Sequence, residues 1–289
     1  MIEIFQPMVA KAENEARRGA TALALRTLRQ LPVDDFGELL LDVPSDCAAL
    51  RELLPRMADE NVQTSWTGSS GVTLLRQSTA FIRSLVCGYR EHVGPGLEGS
   101  NVLDFGCGWG RLMRLMLKYC EPDHLFGVDA WTDSIDICRN DGVLGQLDVS
   151  DYVPDRLPFG DERFDLVYAF SVFTHLSEKT ARRCLAAIRP RMSPRSLLAI
   201  TIRPVEYWGF NNDLDKGYTA EQLADMHRNT GYAFFPHNRA PIDGDVTYGD
   251  TSVSLDYIAR SWTDWEIAGI DRNSVDSLQV LVFLKPRWH

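Results

Sequence analysis

A loop with glycine at every second residue is the part of the chain best suited to bind a ligand. It has the sequence VLDFGCGWGR, from Val102 to Arg111, and joins a short apolar strand to a helix. Glycine has no Cβ, so Gly106, Gly108 and Gly110 can take left-handed backbone angles and let a ligand approach the main chain. Asp104 lies near the carboxyl end of the strand, where open α/β sheets bind ligands. The sequence therefore predicts a site for a small charged cofactor.

A second acid follows the loop after about one strand–helix–strand unit. The segment LFGVD, Leu125 to Asp129, is typical of the next parallel strand and ends in that acid. A carboxylate in this position can accept hydrogen bonds from both hydroxyls of a ribose, which indicates a nucleotide-containing cofactor. The dinucleotide pattern G-x-G-x-x-G does not fit, because its third glycine would fall at Arg111.

Three motifs occur in order along the chain. They are D-x-G-x-G-x-G in the glycine loop, GVDAW at Gly127 to Trp131, and LPFGDERFDLVYAFSVFTHLSE at Leu157 to Glu178. Together they resemble the Rossmann-like class of S-adenosylmethionine (SAM) dependent methyltransferases, over about residues 101 to 202. The resemblance implies SAM as the cofactor. It also implies an α/β fold with a doubly wound, mostly parallel seven-stranded sheet that ends in an antiparallel strand pair.

The resemblance also assigns roles to residues around the glycine loop. The loop and the helix N-terminus after it would hold the methionine tail of SAM, with Asp104 near the ammonium group. Arg111 would point at the tail carboxylate, although a position on the helix surface explains this arginine equally well.

The ribose and adenine of SAM are assigned to the residues that follow the second strand. Asp129 would take the ribose, and Trp131 with its neighbour Ala130 would cover one adenine face. Asp148 and Asp151 are alternatives for the contact with the adenine amino group. The full set of predicted cofactor contacts is Asp104, Gly106, Gly108, Gly110, Arg111, Asp129, Ala130, Trp131, Asp148, Asp151 and Phe170.

The residues after the fourth predicted strand indicate which acceptor is methylated. That strand is followed by Phe170, Ser171 and Val172. The Asn/Asp-Pro-Pro-aromatic sequence of amino methylases, the acid of metal-dependent catechol-type enzymes and the Pro-Cys nucleophile of cytosine C5 enzymes are all missing. Transfer to oxygen is therefore favoured over transfer to nitrogen or carbon, and no metal is expected.

His175 is the first candidate for a catalytic base. It lies a few residues after the fourth strand, and an unperturbed imidazole has a pKa of about 6.5, which suits proton removal near neutral pH. Alternatively, His175 only orients the junction at which Ser177 caps a helix that has Glu178 in its first turn. His237 and Asp243 are further candidates for the base or for substrate contacts.

An aromatic-rich insertion at about residues 204–250 is predicted to cap the substrate. Aromatic side chains can form the walls of an acceptor pocket and stack on a sugar or a ring, although core packing explains most of them equally well. A small molecule or a glycan is the expected acceptor. The predicted substrate contacts are Tyr207, Trp208, His237, Asp243 and Tyr248.

The elements that must position these residues form two predicted parts. Residues 1–95 are expected to be a helical extension with short helices separated by prolines 32, 44 and 55. Within it, the polar segment Asn61–Gly71 is predicted to be a loop, and its part from Thr64 to Gly71 either covers the cofactor tail or serves as an interdomain linker. Residues 96–289 are the predicted SAM-binding domain, with an irregular stretch from Arg203 to about Gly249 and two closing strands. The other expected elements are helix 72–89, strand 101–105, helix 109–119, strand 124–128, helix 132–140, strand 143–148, strand 164–170, helix 177–189 and strand 196–203.

Composition narrows the range of partners. The chain has 289 residues and a net charge of −10, which would repel a phosphate backbone, so nucleic acid is not expected as a partner. No apolar run approaches the ~20 residues of a membrane span, and the charged N-terminal region is unlike a signal peptide. Six cysteines without a C-x-x-C pair favour reduced thiols in the cytoplasm. The oligomeric state is left open.

The alternatives to an enzyme of this class are a noncatalytic SAM-binding or scaffold protein and an NAD-dependent oxidoreductase.

Overall fold

A computed structural model describes residues 3–212, 214, 217–272 and 275–288. Its Cα positions form two compact units. The first unit contains Met1–Cys87 and Pro95–Val149, and the second contains Gly88–Gly94 and Ser150–His289. The helical extension and the glycine loop therefore share a unit, whereas the predicted domain boundary falls at residues 95 and 96. That boundary stays a prediction about domain organisation.

The first unit begins with short helices, as the prolines predict. One buried carboxylate helps to join them, because Glu13 accepts hydrogen bonds from the backbone N–H groups of Ala49 (3.2 Å) and Leu50 (2.8 Å). These two N–H groups lie at the start of a helix, where backbone donors have no partner within the helix. The short helices are α1 (Gln6–Arg17), α2 (Thr21–Leu28), α3 (Val33–Leu41), α4 (Ala48–Leu53) and α5 (Glu60–Thr67). The longer helix α6 (Gly71–His92) follows, and its residues from Gly88 onward belong to the second unit.

Helix α5 corrects the prediction that Asn61–Gly71 is a loop. The polar side chain of Gln63 is buried and satisfies backbone groups at both ends of this helix. Its Nε2 donates to the carbonyl of Ala58 (2.7 Å), and its Oε1 accepts from the N–H of Gly71 (3.1 Å). Gly68 ends the helix in the left-handed conformation, at φ 79°. The polar composition that indicated a loop thus supports a short helix through contacts that are not local in sequence.

Three parallel strands follow in the first unit. They are β1 (Val102–Phe105), β2 (Leu125–Asp129) and β3 (Gln146–Val149), with Asp104 of β1 opposite Gly127 of β2. The connecting helices are α7 (Arg111–Met116) and α8 (Thr132–Asn140). Helix α7 is shorter than the predicted 109–119, because Gly110 at φ 76° forms its N-cap and Leu117 its C-cap.

The second unit holds the remaining strands. Strands β4 (Phe164–Ala169) and β5 (Met192–Ile202) are parallel, with α9 (Glu178–Ile188) between them in sequence. After α10 (Ala220–Thr230), β6 (Tyr232–Pro236), β7 (Gly249–Val253) and α11 (Leu255–Ser261), the last strands are β8 (Trp265–Arg272) and β9 (Val280–Pro286). Strand β9 is antiparallel to both β5 and β8.

The strand order in the seven-stranded sheet is β3-β2-β1-β4-β5-β9-β8. The predicted fold class is confirmed, because the sheet is mostly parallel and ends in an antiparallel pair. In the described part of the chain, no helix combines the length and the apolar character that crossing a membrane requires.

The insertion has more regular structure than predicted. It contains α10 and β6, and β6 pairs with β7 in a separate two-stranded sheet. Thr219 and Gln222 form a capping box at the start of α10, and Gly231 ends that helix at φ 85°. These helix signals are present in the sequence as T-x-x-Q from Thr219 to Gln222 and a following glycine at Gly231.

A buried arginine connects three segments of the first unit. The side chain of Arg114 is fully buried, and its Nε donates to the carbonyl of Arg56 (2.9 Å). Its Nη1 donates to the carbonyl of Trp109 in the glycine loop, and its Nη2 donates to Oδ2 of Asp141 (3.2 Å) after α8. Burial lowers the pKa of Arg114 to about 10, so the guanidinium is still charged at neutral pH.

Replacing this arginine should destabilise the fold strongly. Arg114→Met removes the charge and takes a donor from the carbonyls of Arg56 and Trp109 and from the Asp141 carboxylate, a loss of about 3 to 5 kcal/mol in the free energy of unfolding. Urea unfolding measures it. Arg26→Met, at an exposed position of α2, is the control and should change stability by at most about 0.5 kcal/mol. Equal urea concentrations at the unfolding midpoints of the two variants would contradict the role given to Arg114.

Candidate functional site

The glycine loop has the conformation that its composition predicts. Gly106, Gly108 and Gly110 all have positive φ angles, of 78°, 54° and 76°. The loop is fixed to β2, because the N–H groups of Gly106 (2.8 Å) and Cys107 (3.0 Å) both donate to the carbonyl of Val128. Side chains in the left-handed region are strained, so glycine is required here.

Two of these glycines face different surroundings. A Cβ on Gly110 would meet Cys138 Sγ at 3.0 Å and Arg114 Nη1 at 3.1 Å, so this glycine allows close packing. A Cβ on Gly108 would meet no described atom nearer than Trp66 Cε3 at 4.0 Å. Gly108 therefore leaves space beside the main chain, as a ligand-binding glycine must.

The carboxylate of Asp129 lies against the same loop. Its Oδ2 accepts from the N–H of Gly108 (2.8 Å), and its Oδ1 accepts from the N–H of Trp131 (2.8 Å). Burial raises the pKa of Asp129 despite these bonds, which act in the opposite direction. A partly buried carboxylate whose desolvation outweighs its hydrogen bonds favours further donors, and ribose hydroxyls are donors of that kind.

The other predicted contacts with the tail of the cofactor lie on either side of the loop. Asp104 is buried on β1, with 2% of its surface exposed. The guanidinium of Arg111 donates through Nη1 to Gln77 Oε1 (3.1 Å) and Ser78 Oγ (3.3 Å) of α6. The structure thus gives Arg111 a contact within the first unit, and its contact with the tail stays a prediction.

The predicted adenine contacts divide between the two units. Trp131 is 45% exposed, and Asp148 on β3 accepts through Oδ1 from the N–H of Val149 (2.8 Å). Asp151 is exposed in the second unit, and Phe170 is partly buried there, directly after β4. The choice between Asp148 and Asp151 stays open.

A second group of polar residues surrounds His175 in the second unit. Strand β7 fixes the segment that carries this histidine, since the N–H of Gly249 donates to the carbonyl of His175 (2.8 Å) and that of Thr251 to the carbonyl of Thr174 (2.9 Å). The turn after β4 includes Ser171 at φ 59°, a conformation that is rare for serine and often marks a functional site.

His175 is held as a neutral imidazole. Its Nδ1 lies 2.7 Å from the carbonyl oxygen of Gly249, and its Nε2 lies 3.2 Å from Nη2 of Arg203. A carbonyl only accepts and a guanidinium only donates, so Nδ1 carries the hydrogen and the lone pair of Nε2 faces Arg203. Burial, followed by the charge of Arg203, lowers the pKa of His175 to about 4. These contacts favour a positioning role over the predicted role as base.

The carboxylate of Asp250 joins this histidine to a second one. Asp250 pairs with Nη1 of Arg203 (2.6 Å), Nε2 of His237 (3.1 Å) and Nδ2 of Asn211 (3.1 Å). Burial alone would raise the pKa of Asp250, but the charge of Arg203 and the hydrogen bond from His237 hold it below its ordinary value. The sequence analysis missed Arg203, Asp250 and Asn211, because they flank or lie within the stretch that we predicted to be irregular.

His237 is the more accessible of the two histidines. Its side chain is 37% exposed, against 18% for His175. Since the carboxylate of Asp250 accepts from Nε2–H, the lone pair of His237 is on Nδ1. Tyr248 contacts both imidazoles: it stacks on His175 at 5.0 Å and meets His237 edge-on at 5.5 Å, and the imidazole centroids are themselves 6.4 Å apart.

The remaining predicted substrate contacts lie in different places. Tyr207 is partly buried under Arg203, whose guanidinium carbon lies 4.0 Å from the ring centroid. Trp208 is 1% exposed and packs in the core of the insertion, where its Nε1 donates to Ser252 Oγ (2.7 Å). Asp243 is exposed, and its main-chain carbonyl accepts from Lys179. Tyr207, Tyr248 and His237 therefore each contact Arg203, His175 or Asp250, and Trp208 packs edge-on against Tyr207 at 5.2 Å.

The helix cap predicted at Ser177 is present, and the role of His175 in orienting this junction stays a prediction. Ser177 caps α9 by accepting from the N–H of Thr180 (3.2 Å), and Glu178 begins the helix. Among the residues that the structure describes, no set of three or more His, Cys, Asp or Glu side chains is arranged to hold a metal ion.

Comparisons with known proteins agree with the fold and the glycine loop. Residues 102–195 match a family described as a methyltransferase domain. Over 71 residues the chain is 32% identical to ribosomal protein L11 methyltransferase of Paraburkholderia xenovorans, and over 111 residues it is 26% identical to ubiquinone biosynthesis O-methyltransferase of Actinobacillus pleuropneumoniae. The matches cover 25% and 35% of this chain, and 23% and 47% of those relatives. The chain thus spans less than half the length of either relative.

A solved structure shares the fold over most of the chain. The DhpI–SAH complex superposes with a TM-score of 0.51 at 12% identity, and it covers 80% of this chain and 94% of that protein. Residues 102–195 match the methyltransferase domain and, with this fold, are similar to the Rossmann-like, SAM-dependent class. The predicted resemblance is therefore confirmed, and SAM is the cofactor of this family.

The buried His175 makes fold stability depend on pH. Its pKa of about 4 in the folded chain lies below the value of 6.5 of an unperturbed imidazole. The neutral form thus stabilises the fold fully above about pH 6.5, and this contribution is lost as the pH falls toward 4, up to about 3 kcal/mol in all. We expect His175→Gln to lose less stability than the wild type between pH 7.5 and 5 in urea unfolding. Parallel losses in both proteins would contradict the buried neutral imidazole.

Proposed function

We propose that the protein transfers the methyl group of SAM to a hydroxyl group of a small molecule or a glycan. The observation that carries the cofactor part is the Asp129 carboxylate, bonded to the N–H groups of Gly108 and Trp131. The observation that supports the acceptor part is the hydrogen bond between His237 and Asp250. Each belongs to one of the two units.

The residues around the glycine loop fit SAM. The space beside Gly108 would be filled by a Cβ, which is the property of a loop that receives a ligand against its main chain. Asp129 would accept from the ribose hydroxyls, and the buried Asp104 would face the ammonium group. Trp131 would offer its exposed face to the adenine ring. Bound SAM supplies an electrophilic methyl group on a sulfonium, so positioning provides much of the rate.

The His237–Asp250 pair supports an acceptor that must lose a proton. Asp250 accepts from Nε2–H of His237, which fixes the tautomer and leaves Nδ1 to remove a proton. The carboxylate also stabilises the imidazolium that forms. A neutral amine can attack without a base, whereas a hydroxyl gains from one, so the pair favours oxygen over nitrogen.

His175 and Arg203 would position this base and not act as one themselves. Arg203 donates to both Asp250 and His175, and it bonds Oδ1 of the carboxylate, whereas His237 bonds Oδ2. His175 stacks on Tyr248, which in turn contacts His237. The proposed base thus moves from His175 to His237, which the sequence analysis kept as an alternative.

The remaining parts of the proposal concern the cellular compartment, the class of acceptor and the alternative function. All six cysteines are free thiols in the structure, which supports a reducing compartment such as the cytoplasm. The acceptor class, a small molecule or a glycan, stays a prediction, because the guanidinium groups of Arg239 and Arg203 cover the rings of Tyr248 (4.2 Å) and Tyr207 (4.0 Å). A family match to methyltransferases gives no support to an NAD-dependent oxidoreductase.

Binding of the demethylated product, S-adenosylhomocysteine (SAH), tests the role of Asp129. Asp129→Asn should weaken SAH binding by at least about tenfold, because it replaces charge-assisted hydrogen bonds with neutral ones. Calorimetric titration gives the dissociation constants. Asp136→Asn, on the exposed face of α8, is the matched control and should bind as the wild type does. Wild-type affinity in Asp129→Asn would refute the ribose assignment.

Turnover tests the role of His237. An acceptor would first be identified by incubating the wild-type protein with methyl-labelled SAM and fractionated cell extract, and by isolating the compound that receives the label. His237→Gln should then lower kcat by about 10² to 10⁴, with SAH affinity unchanged, because only proton transfer is lost. Asp250→Asn should lower it in the same direction, and His175→Gln by less than either. If His237→Gln keeps normal turnover while His175→Gln does not, the base is His175.

A further inference from the structure

Helix α5 brings an indole to the proposed cofactor site. The ring of Trp66 stacks on that of Trp131, with centroids 5.1 Å apart and planes at 22°. Trp131 is the residue that follows Ala130 after Asp129, and the stack covers one of its faces. The contact joins the helical extension to the end of β2 within the first unit.

The same indole also lies beside the glycine loop. Trp66 Cε3 is 4.0 Å from the position that a Cβ on Gly108 would take. The Asp129 carboxylate is bonded to the N–H groups of Gly108 and Trp131, the two residues that Trp66 approaches. Trp66 is therefore placed next to the carboxylate proposed to hold the ribose, at the nucleoside end of the cofactor. The sequence analysis expected the segment around it at the methionine tail instead.

The helix that carries Trp66 is built to hold the ring there. Gln63, one turn before Trp66, is buried and bonds to Ala58 and Gly71 on either side of α5. Trp66 itself packs with Val62 against a buried cluster of Ala58, Leu74 and Trp109. The left-handed Gly68 ends the helix directly after Thr67. The ring is thus anchored by contacts with both the helix and the glycine-loop segment.

We infer that Trp66 is a cofactor-binding residue, and that its indole and that of Trp131 form an aromatic wall over the adenosine part of SAM. This inference rests on the proposed SAM site. The wall would exclude water from the hydrogen bonds between Asp129 and the ribose, which are stronger where the local dielectric is low. It would also select a ligand that carries a purine nucleoside, since an aromatic face favours a planar ring.

Titration with SAH tests the inference in variants of Trp66. Trp66→Ala should weaken SAH binding at least about fivefold in calorimetry, and Trp66→Phe should stay within about twofold of the wild type. Trp66→Leu keeps an apolar side chain for packing but has no ring, so it should bind as weakly as Trp66→Ala even if the alanine variant folds poorly. Trp288→Ala, at an exposed tryptophan of the second unit, is the matched control and should bind normally.

Two further readouts separate binding from folding. Tryptophan fluorescence of the wild type should change on SAH addition, and Trp66→Phe should lose a large part of that change, whereas Trp288→Ala should retain it. The double variant Trp66→Ala/Trp131→Ala should bind little more weakly than the weaker single variant, because the two rings act as one wall. Circular dichroism melts identify any variant that is unfolded at the assay temperature.

The outcomes distinguish this inference from the proposed function. If the wild type does not bind SAH, both fail. If the wild type binds SAH and folded Trp66→Ala and Trp66→Leu bind it equally well, the SAM site stands and Trp66 is no part of it. Tighter binding by these variants also overturns the inference, because it shows that the indole competes with the ligand for the face of Trp131.

Discussion

The conformation of the proposed cofactor site depends on the hydrogen bonds of the Asp129 carboxylate. This carboxylate accepts hydrogen bonds from the N–H groups of Gly108 and Trp131, and so joins the glycine loop to the end of β2. The loop can reach this acid only because its glycines adopt positive φ angles. Burial makes the ionised form of Asp129 costly, and ligand hydroxyl groups would offset that cost. The proposed affinity for a ribose thus rests on the position of this carboxylate beside the glycine loop.

Arg114 supports the same loop from the interior. A buried cation is tolerated only where acceptors satisfy its N–H groups. The guanidinium of Arg114 donates to the glycine loop, to the segment before α5 and to Asp141. The helical extension is therefore part of the structure that shapes the loop. The same connection explains why Trp66 can lie beside Gly108 although the two residues are far apart in sequence.

Local patterns predicted much of the fold, and tertiary contacts decided the rest. Strand periodicity and glycine spacing are local signals. The strands β1 and β2, the glycine loop after β1 and the closing antiparallel pair were therefore predicted correctly. Helix α5 was missed because it depends on Gln63 bonding to Ala58 and Gly71. The protonation state of His175 could not be predicted from the sequence, because Arg203, which faces its Nε2, is 28 residues away. Burial by such distant residues moves the pKa of His175 to about 4.

Calorimetry of the unmodified protein tests the central claim, that the glycine loop and Asp129 bind SAM, most directly. Separate titrations with SAM, SAH and NAD, each with a chelator present, would compare the ligands under one set of conditions. The account predicts one site per chain for SAM and SAH and no saturable binding of NAD. Saturable binding of NAD with none of SAM or SAH would contradict it.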